Sequence, residues 1–114
     1  MEESILTSIK LMLGVMPDYD AFDQQILMCI NTALTSATQI GVGPTTGFTI
    51  RDASTTWGEL IGDDPRLEAV KTYIYIKTRL LFDPPQNSNL TQTLTEQKDE
   101  IEWRLISDLE HAPE

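Results

Sequence analysis

The sequence has little of what catalytic sites usually need. Its 114 residues include one cysteine, Cys29, and one histidine, His111, which lies within the last four residues. A lone cysteine makes no disulfide within the chain, and its place in an apolar helical pattern predicts a small buried hydrophobe. A Ser-His or Cys-His site needs a base beside its nucleophile, and the terminal position of His111 argues against one. The sequence therefore indicates a protein that is not an enzyme.

Basic residues are also scarce. Eight Lys and Arg residues stand against 18 Asp and Glu residues, so the net charge is −10 and the isoelectric point is about 4.3. Because DNA is a polyanion, such a chain is not expected to grip nucleic acid. An acidic face instead suits a wall past which DNA slides without sticking.

Long apolar runs are missing as well. No stretch approaches the ~20 apolar residues that span a bilayer. The opening residues, Met1-Glu2-Glu3, have the wrong charge for a signal peptide. We expect a soluble protein without a membrane partner, which stays inside the cell that makes it.

Two further patterns fail as ligand sites. The segment from Gly41 to Gly47 is rich in glycine, but it follows a predicted helix and lacks the Lys-Ser/Thr pair of a phosphate loop. Asp18, Asp20 and Asp23 are spaced like cation ligands. A calcium-binding loop starting at Asp18 would, however, need glycine and glutamate at the positions of Asp23 and Cys29. We therefore expect no cofactor and no metal.

Apolar residues recur at helical spacing in four segments, and turn residues separate them. The predicted helices run over about 4–13, 21–38, 65–82 and 90–109. Residues 41–64 form a Gly/Thr-rich loop with a brief extended piece at 48–50 and one helical turn at 56–61. We expect its apolar residues to anchor it by packing: Phe48, Ile50, Trp57, Leu60 and Ile61. The fold class is all-α, a small bundle of three longer helices plus a short N-terminal helix. One domain covers 1–109, and 110–114 form a flexible tail.

Turn chemistry predicts where these helices begin and end. Asp18 or Asp20 should cap the second helix, and Asp63-Asp64-Pro65 should start the third. The third helix should stop at Phe82-Asp83 because Pro84 disfavours a helical residue before it. Trp103 widens the apolar stripe of the last helix, so its ring is expected either in the core or at an interface.

Two helix faces are candidate interfaces. The second helix has a polar but nearly uncharged face with Asp23, Gln24 and Asn31, which suggests contact with another subunit; a solvated face is the alternative. The third helix carries half of the basic residues, which most simply neutralise nearby carboxylates but also form a second candidate face: Arg66, Lys71, Lys77 and Arg79.

The segment YIYIKTRLLFDPP at 73–85, followed by EWRL at 102–105, resembles the head-tail connector (adaptor, head-completion) proteins of long-tailed bacteriophages and prophages. The resemblance extends upstream through 22–23, 30–31, 39–43, 47–48 and 56–57. We single out seven residues of these two motifs as structural: Phe82, Asp83, Pro84, Pro85, Trp103, Arg104 and Leu105.

The resemblance implies a structural virion protein without cofactor, assembled in the host cytoplasm and placed at the head-tail junction. Such a subunit forms a ring, commonly twelvefold, with the portal protein on one side and a head-tail joining or tail protein on the other. DNA passes through without specific binding. The helix at 90–109 would face the portal, and 41–64 would lie at the lumen or subunit seam. The alternative is a non-enzymatic helical adaptor or regulatory module that binds a protein partner.

Overall fold

The computed structural model describes residues 4–62 and 65–111, with side chains up to Ser107 in the last helix. Five α-helices occur in these ranges: α1 Ile5–Leu13, α2 Asp23–Gln39, α3 Trp57–Ile61, α4 Leu67–Phe82 and α5 Ser88–His111. No β-strand occurs among the described residues, where the one backbone bridge pairs Ser4 with Thr56. The all-α fold class is thus confirmed.

The first helix is closed at both ends by local hydrogen bonds. Ser4 Oγ accepts a hydrogen bond from the Thr7 amide at 3.2 Å. At the other end Gly14 adopts a left-handed conformation with φ of 83°, which a residue without Cβ tolerates best. These ends fix α1 as a short element before the turn at 15–22.

The predicted start of α2 is wrong in detail. Phe22 occupies the N-cap position and makes no side-chain cap hydrogen bond, so neither Asp18 nor Asp20 caps this helix. Asp23 instead supplies an acidic side chain in the first turn, which suits the positive end of the helix dipole.

The ends of α4 match its turn residues only in part. Arg66 is at the N-cap and the helix begins at Leu67, so Pro65 precedes the helix; the predicted caps at 63 and 64 lie outside the described residues. At the other end the Asp83 amide donates to the Arg79 carbonyl at 2.8 Å. The stop before Pro84 is confirmed.

The fourth helix lies at the centre of the fold, packed mainly against α2 and also against α5 and α1. Tyr73, Val70 and Ile74 on α4 are completely buried. They meet apolar residues of the other elements in one core: Ile5, Leu6, Ile9, Ile26, Leu27, Ile30, Ala33, Leu34, Ala37, Val42, Ile50, Trp57, Leu60 and Leu105.

The segment between α2 and α4 is held by its own apolar side chains, as predicted. Ile50, Trp57 and Leu60 are buried, while Phe48 and Ile61 are partly buried against the core. No strand forms at 48–50. The helical turn is instead fixed by a capping box, because the Thr56 and Glu59 side chains bond each other's backbone amides.

One prediction of burial needs correction, because Cys29 is only half-buried. Of the two places expected for Trp103, the core is excluded and an interface stays a prediction. Trp103 is 69% exposed because α5 packs on one side only. Leu105 is buried and Ile101 half-buried on that side, and a residue two positions away is rotated by roughly 200° around a helix of 3.6 residues per turn. Trp103 therefore faces away from the core.

Candidate interaction surfaces

A buried lysine organises the turn between α1 and α2. Lys10 is 2% exposed, and its Nζ donates to the carbonyls of Pro17 at 3.0 Å and Tyr19 at 2.8 Å. The same ammonium lies 2.7 Å from Asp23 Oδ1. That oxygen has no hydrogen-bond donor with conventional geometry among the described residues, so Lys10 is what offsets its burial. Asp23, a predicted interface residue, is thus engaged within the subunit.

Asn31, also predicted at an interface, clamps the segment after α2. Its Oδ1 accepts from the Ile50 amide at 2.8 Å, and its Nδ2 donates to the Ile50 carbonyl at 3.0 Å. The side chain thereby satisfies both backbone groups as a neighbouring strand would. Gln24, the third residue predicted on this face, is exposed.

The basic residues of α4 are half-buried and have internal contacts. Lys77 Nζ donates to Ser36 Oγ at 3.0 Å, and Arg79 donates to the Tyr75 hydroxyl at 3.1 Å. Lys71 lies 6.0 Å from the centre of the Trp57 ring, which is at the limit of a cation–π contact. Arg66 is half-buried at the N-cap. An interface role for these side chains remains a prediction.

The first motif ends in a packed chain reversal. Phe82 meets Phe22 edge-to-face with ring centres 5.7 Å apart. The carbonyl of half-buried Pro85 accepts a hydrogen bond from the Thr91 hydroxyl at 3.2 Å, while Asp83 and Pro84 are exposed. The aromatic contact holds the end of α4 against the start of α2, and the hydrogen bond holds the first turn of α5 against the segment that follows α4.

The second motif divides between core and surface. Leu105 is buried, whereas Trp103 is exposed. Arg104 is exposed too, and its guanidinium lies 2.7 Å from Glu100 one turn earlier. The outer face of α5 therefore offers an unpacked indole beside a neutralised charge.

A polar pair joins α4 to α5. The Tyr73 hydroxyl donates to Glu102 Oε2 at 2.8 Å. Burial, reinforced by the Glu102 carboxylate, raises the pKa of Tyr73 far above its usual value. Burial alone would lower the pKa of Lys98, but hydrogen bonds and charges from Asp99 and Glu102 outweigh that effect and raise it.

Ligand-binding chemistry is sparse in the part of the chain that the structure describes. No group of three His, Cys, Asp or Glu side chains there is placed to hold a metal ion. Within the same ranges, no helix has the length and hydrophobicity needed to cross a bilayer.

A family model described as phage connector protein matches residues 5–111, a range that includes all five helices. The chain belongs to the phage connector protein family. Neither the curated proteins nor the solved structures gave a match. Connector proteins are structural, non-enzymatic components of the phage particle that contact other virion proteins. Membership confirms the resemblance seen in the motifs and favours a connector over a regulatory module.

Sequence reasoning missed the role of Lys10. The available signal was a lysine that interrupts an apolar run in α1, a position where a charge needs a partner if the helix is buried. Asn31 was singled out for its place on a polar face, but its partner is 19 residues away along the chain. Helical periodicity carries no information about such a contact.

Proposed function

We propose that the protein is one subunit of a ring, commonly twelvefold, that joins the portal to the tail at the head-tail junction. It completes the filled head and extends the channel through which DNA passes. The observation that carries this proposal is the family match over residues 5–111. The net charge of −10 supports it further, because an acidic channel wall repels DNA and lets it slide.

A closed ring needs one face of each subunit to complement a different face of the next. Gln24 on α2 and the basic residues of α4 are our candidates for these two faces: Arg66, Lys71, Lys77 and Arg79. Several of these side chains already have partners inside the subunit. A neighbouring subunit would therefore contact the parts of these side chains that remain exposed.

The portal contact is assigned to the outer face of α5. Trp103 is 69% exposed and Ile106 is 38% exposed, one turn apart on that helix. An exposed indole next to an aliphatic side chain is typical of an interface anchor, because Trp and Tyr dominate the binding energy of many interfaces. The turn at Asp83-Pro84-Pro85 would set the angle at which this helix approaches the portal.

Co-expression with the portal protein of the same phage tests the proposal. We expect a complex whose mass and negative-stain images show a cyclic array of this chain on the portal ring. The Trp103→Ala variant should weaken that complex, whereas Thr93→Ala, at an exposed position on the same helix, should not. A chain that stays monomeric with the portal present would contradict the proposal. A monomer in isolation would not, since the portal supplies the platform on which the ring assembles.

A further inference from the structure

Three adjoining hollows form one apolar cleft where the end of α1, the start of α2 and the end of α4 meet. Val15 and Phe22 line two of them, and Phe82 and Gln25 also line two, so the hollows are continuous. We call this surface the α1–α2–α4 cleft, and its main apolar residues are Val15, Tyr19, Phe22, Met28, Leu81 and Phe82.

The cleft has an aromatic floor and methionine side chains at its margins. Tyr19, Phe22 and Phe82 form an edge-to-face series with successive ring centres 5.7 Å apart. Met16 and Met28 are 66% and 70% exposed. Single exposed apolar residues are ordinary, but a contiguous group marks an interaction surface. Methionine side chains at the margins fit partners of different shape.

The charge of the cleft is one-sided. Asp18 and Asp83 line it, and both are exposed. None of the described residues that line it is basic. The nearby ammonium of Lys10 is buried and lies 2.7 Å from Asp23, so it does not offset the acidic margin.

This charge discriminates between occupants. A second copy of the chain carries a net charge of −10. Its exposed Trp103 lies on a helix whose outer face presents Glu96 as well as Asp99 and Glu100, and the last two pair with Lys98 and Arg104, so no excess positive charge surrounds the indole. Like charges at an interface cost binding energy and slow association. A positively charged segment would bind this acidic margin more tightly and associate with it faster.

We propose that the α1–α2–α4 cleft binds a segment of another virion protein that presents apolar side chains flanked by lysine or arginine. The apolar side chains of the segment pack against the aromatic residues of the cleft, and its lysine or arginine side chains pair with Asp18 and Asp83. The proposal rests on the connector function only in taking the partner from the phage particle. The cleft is a different surface from the α5 face assigned to the portal, so one subunit can hold two partners.

Peptide binding to the isolated full-length chain tests the chemistry of the occupant. The probes are a fluorescent amphipathic peptide of leucine and lysine and a matched peptide with glutamate in place of lysine, compared by anisotropy at low and physiological salt. We expect the lysine peptide alone to bind, and its affinity to fall about tenfold or more in Met28→Lys and in Asp18→Lys. Thr93→Lys, at an exposed position on α5, is the matched control, and its affinity should equal that of the wild type.

Each alternative result overturns the proposal. Equal binding of both peptides, or equal binding by wild type and Met28→Lys, would show that the cleft does not select a basic apolar segment. Sedimentation that reveals self-association of the wild type, abolished by Met28→Lys, would assign the cleft to a second copy. Circular dichroism verifies that the variants fold. The peptide assay contains no portal protein, so it does not depend on ring assembly. Failure of the chain to assemble on the portal would contradict the connector function but would not change the peptide result.

Discussion

Trp57 Nε1 donates a hydrogen bond to Ser8 Oγ at 2.8 Å and so joins α3 to α1 across 49 residues of chain. The Trp57 ring is 2% exposed, and the Ser8 hydroxyl also bonds the Ser4 carbonyl at 2.8 Å. This contact, together with the Ser4–Thr56 bridge, fixes the segment between α2 and α4 to the first helix.

Replacing Trp57 should therefore destabilise the folded chain. We expect Trp57→Ala to lower the free energy of unfolding by about 3–5 kcal/mol, because it leaves a cavity in the core. Trp57→Phe keeps most of the volume and should cost about 1–2 kcal/mol through the lost hydrogen bond and poorer fit. Urea unfolding followed by circular dichroism measures both. A loss below ~1 kcal/mol for Trp57→Ala would show that the ring is not buried in solution.

Trp103 should behave in the opposite way. Since its ring is 69% exposed, Trp103→Ala should change the free energy of unfolding by less than ~1 kcal/mol. Acrylamide quenching gives an independent reading: the Trp57→Phe protein, whose emission comes from Trp103, should be quenched strongly, and the Trp103→Phe protein weakly. Equal quenching of the two proteins would contradict the assigned exposures.

These two tryptophans show what the sequence could predict. Trp57 was expected to anchor its segment, and it does. It was predictable because it is one of the few large apolar residues in a Gly/Thr-rich loop, and such a loop is held in place by packing of those residues. Trp103 was placed on a widened apolar stripe. The stripe is present, but α5 packs mainly against α4, and the number of neighbours around a helix follows from tertiary structure, not from its own periodicity.

Helix ends were predictable where a residue excludes a conformation and less so where it only favours one. Pro84 forbids continuation of α4, and the helix ends there. Asp18 and Asp20 are good capping residues, yet the turn is set by Lys10, which binds the carbonyls of Pro17 and Tyr19. A side-chain contact from the preceding helix thus overrides a local preference. The α1–α2–α4 cleft could not be predicted either, because it requires the ends of three helices to converge.

Removal of the Lys10 charge should be costly. Lys10→Met retains apolar volume but leaves two carbonyls without their donor and the Asp23 carboxylate without its opposite charge. We expect a loss of about 2–3 kcal/mol, below the 3–5 kcal/mol of a fully buried pair because Asp23 is partly exposed. The double variant Lys10→Met/Asp23→Asn should recover part of the loss, and a double-mutant cycle measures the coupling. Additive losses would mean that the two residues act independently.

Tyr73 should make the stability fall at alkaline pH. Its pKa is raised in the folded chain, first by burial and then by the Glu102 carboxylate, so above the ordinary pKa of about 10 the folded state retains a proton that the unfolded state releases. The contribution is complete below pH ~10 and declines as pH rises further.

Unfolding by urea between pH ~9 and ~11 tests this linkage. Tyr73→Phe should flatten the decline, with a residual slope from Lys98, whose pKa is raised as well. If Tyr73→Phe declines as steeply as the wild type, ionisation of this phenol is not linked to folding.

Gly43 should be the least replaceable of three glycines with similar backbone. Gly14, Gly43 and Gly47 have φ values of 83°, 79° and 99°, so alanine at each costs roughly 1–2 kcal/mol for a left-handed conformation. Only at Gly43 would the new Cβ meet a neighbour, with Leu60 Cδ1 at 2.8 Å, whereas nothing lies within 4 Å at the other two. Leu60 is buried, so it must shift to relieve this clash. We expect that shift to lower the free energy of unfolding of Gly43→Ala by a further ~1–3 kcal/mol.

Urea unfolding of the three alanine variants separates the two costs. Gly14→Ala and Gly47→Ala report the backbone cost alone, and Gly43→Ala reports the backbone cost plus the clash. In a Leu60→Ala background the clashing methyl group is absent, so the additional cost of Gly43→Ala should disappear and the double-mutant cycle should show strong coupling. Independent effects of the two substitutions would instead locate the entire cost in the backbone of residue 43.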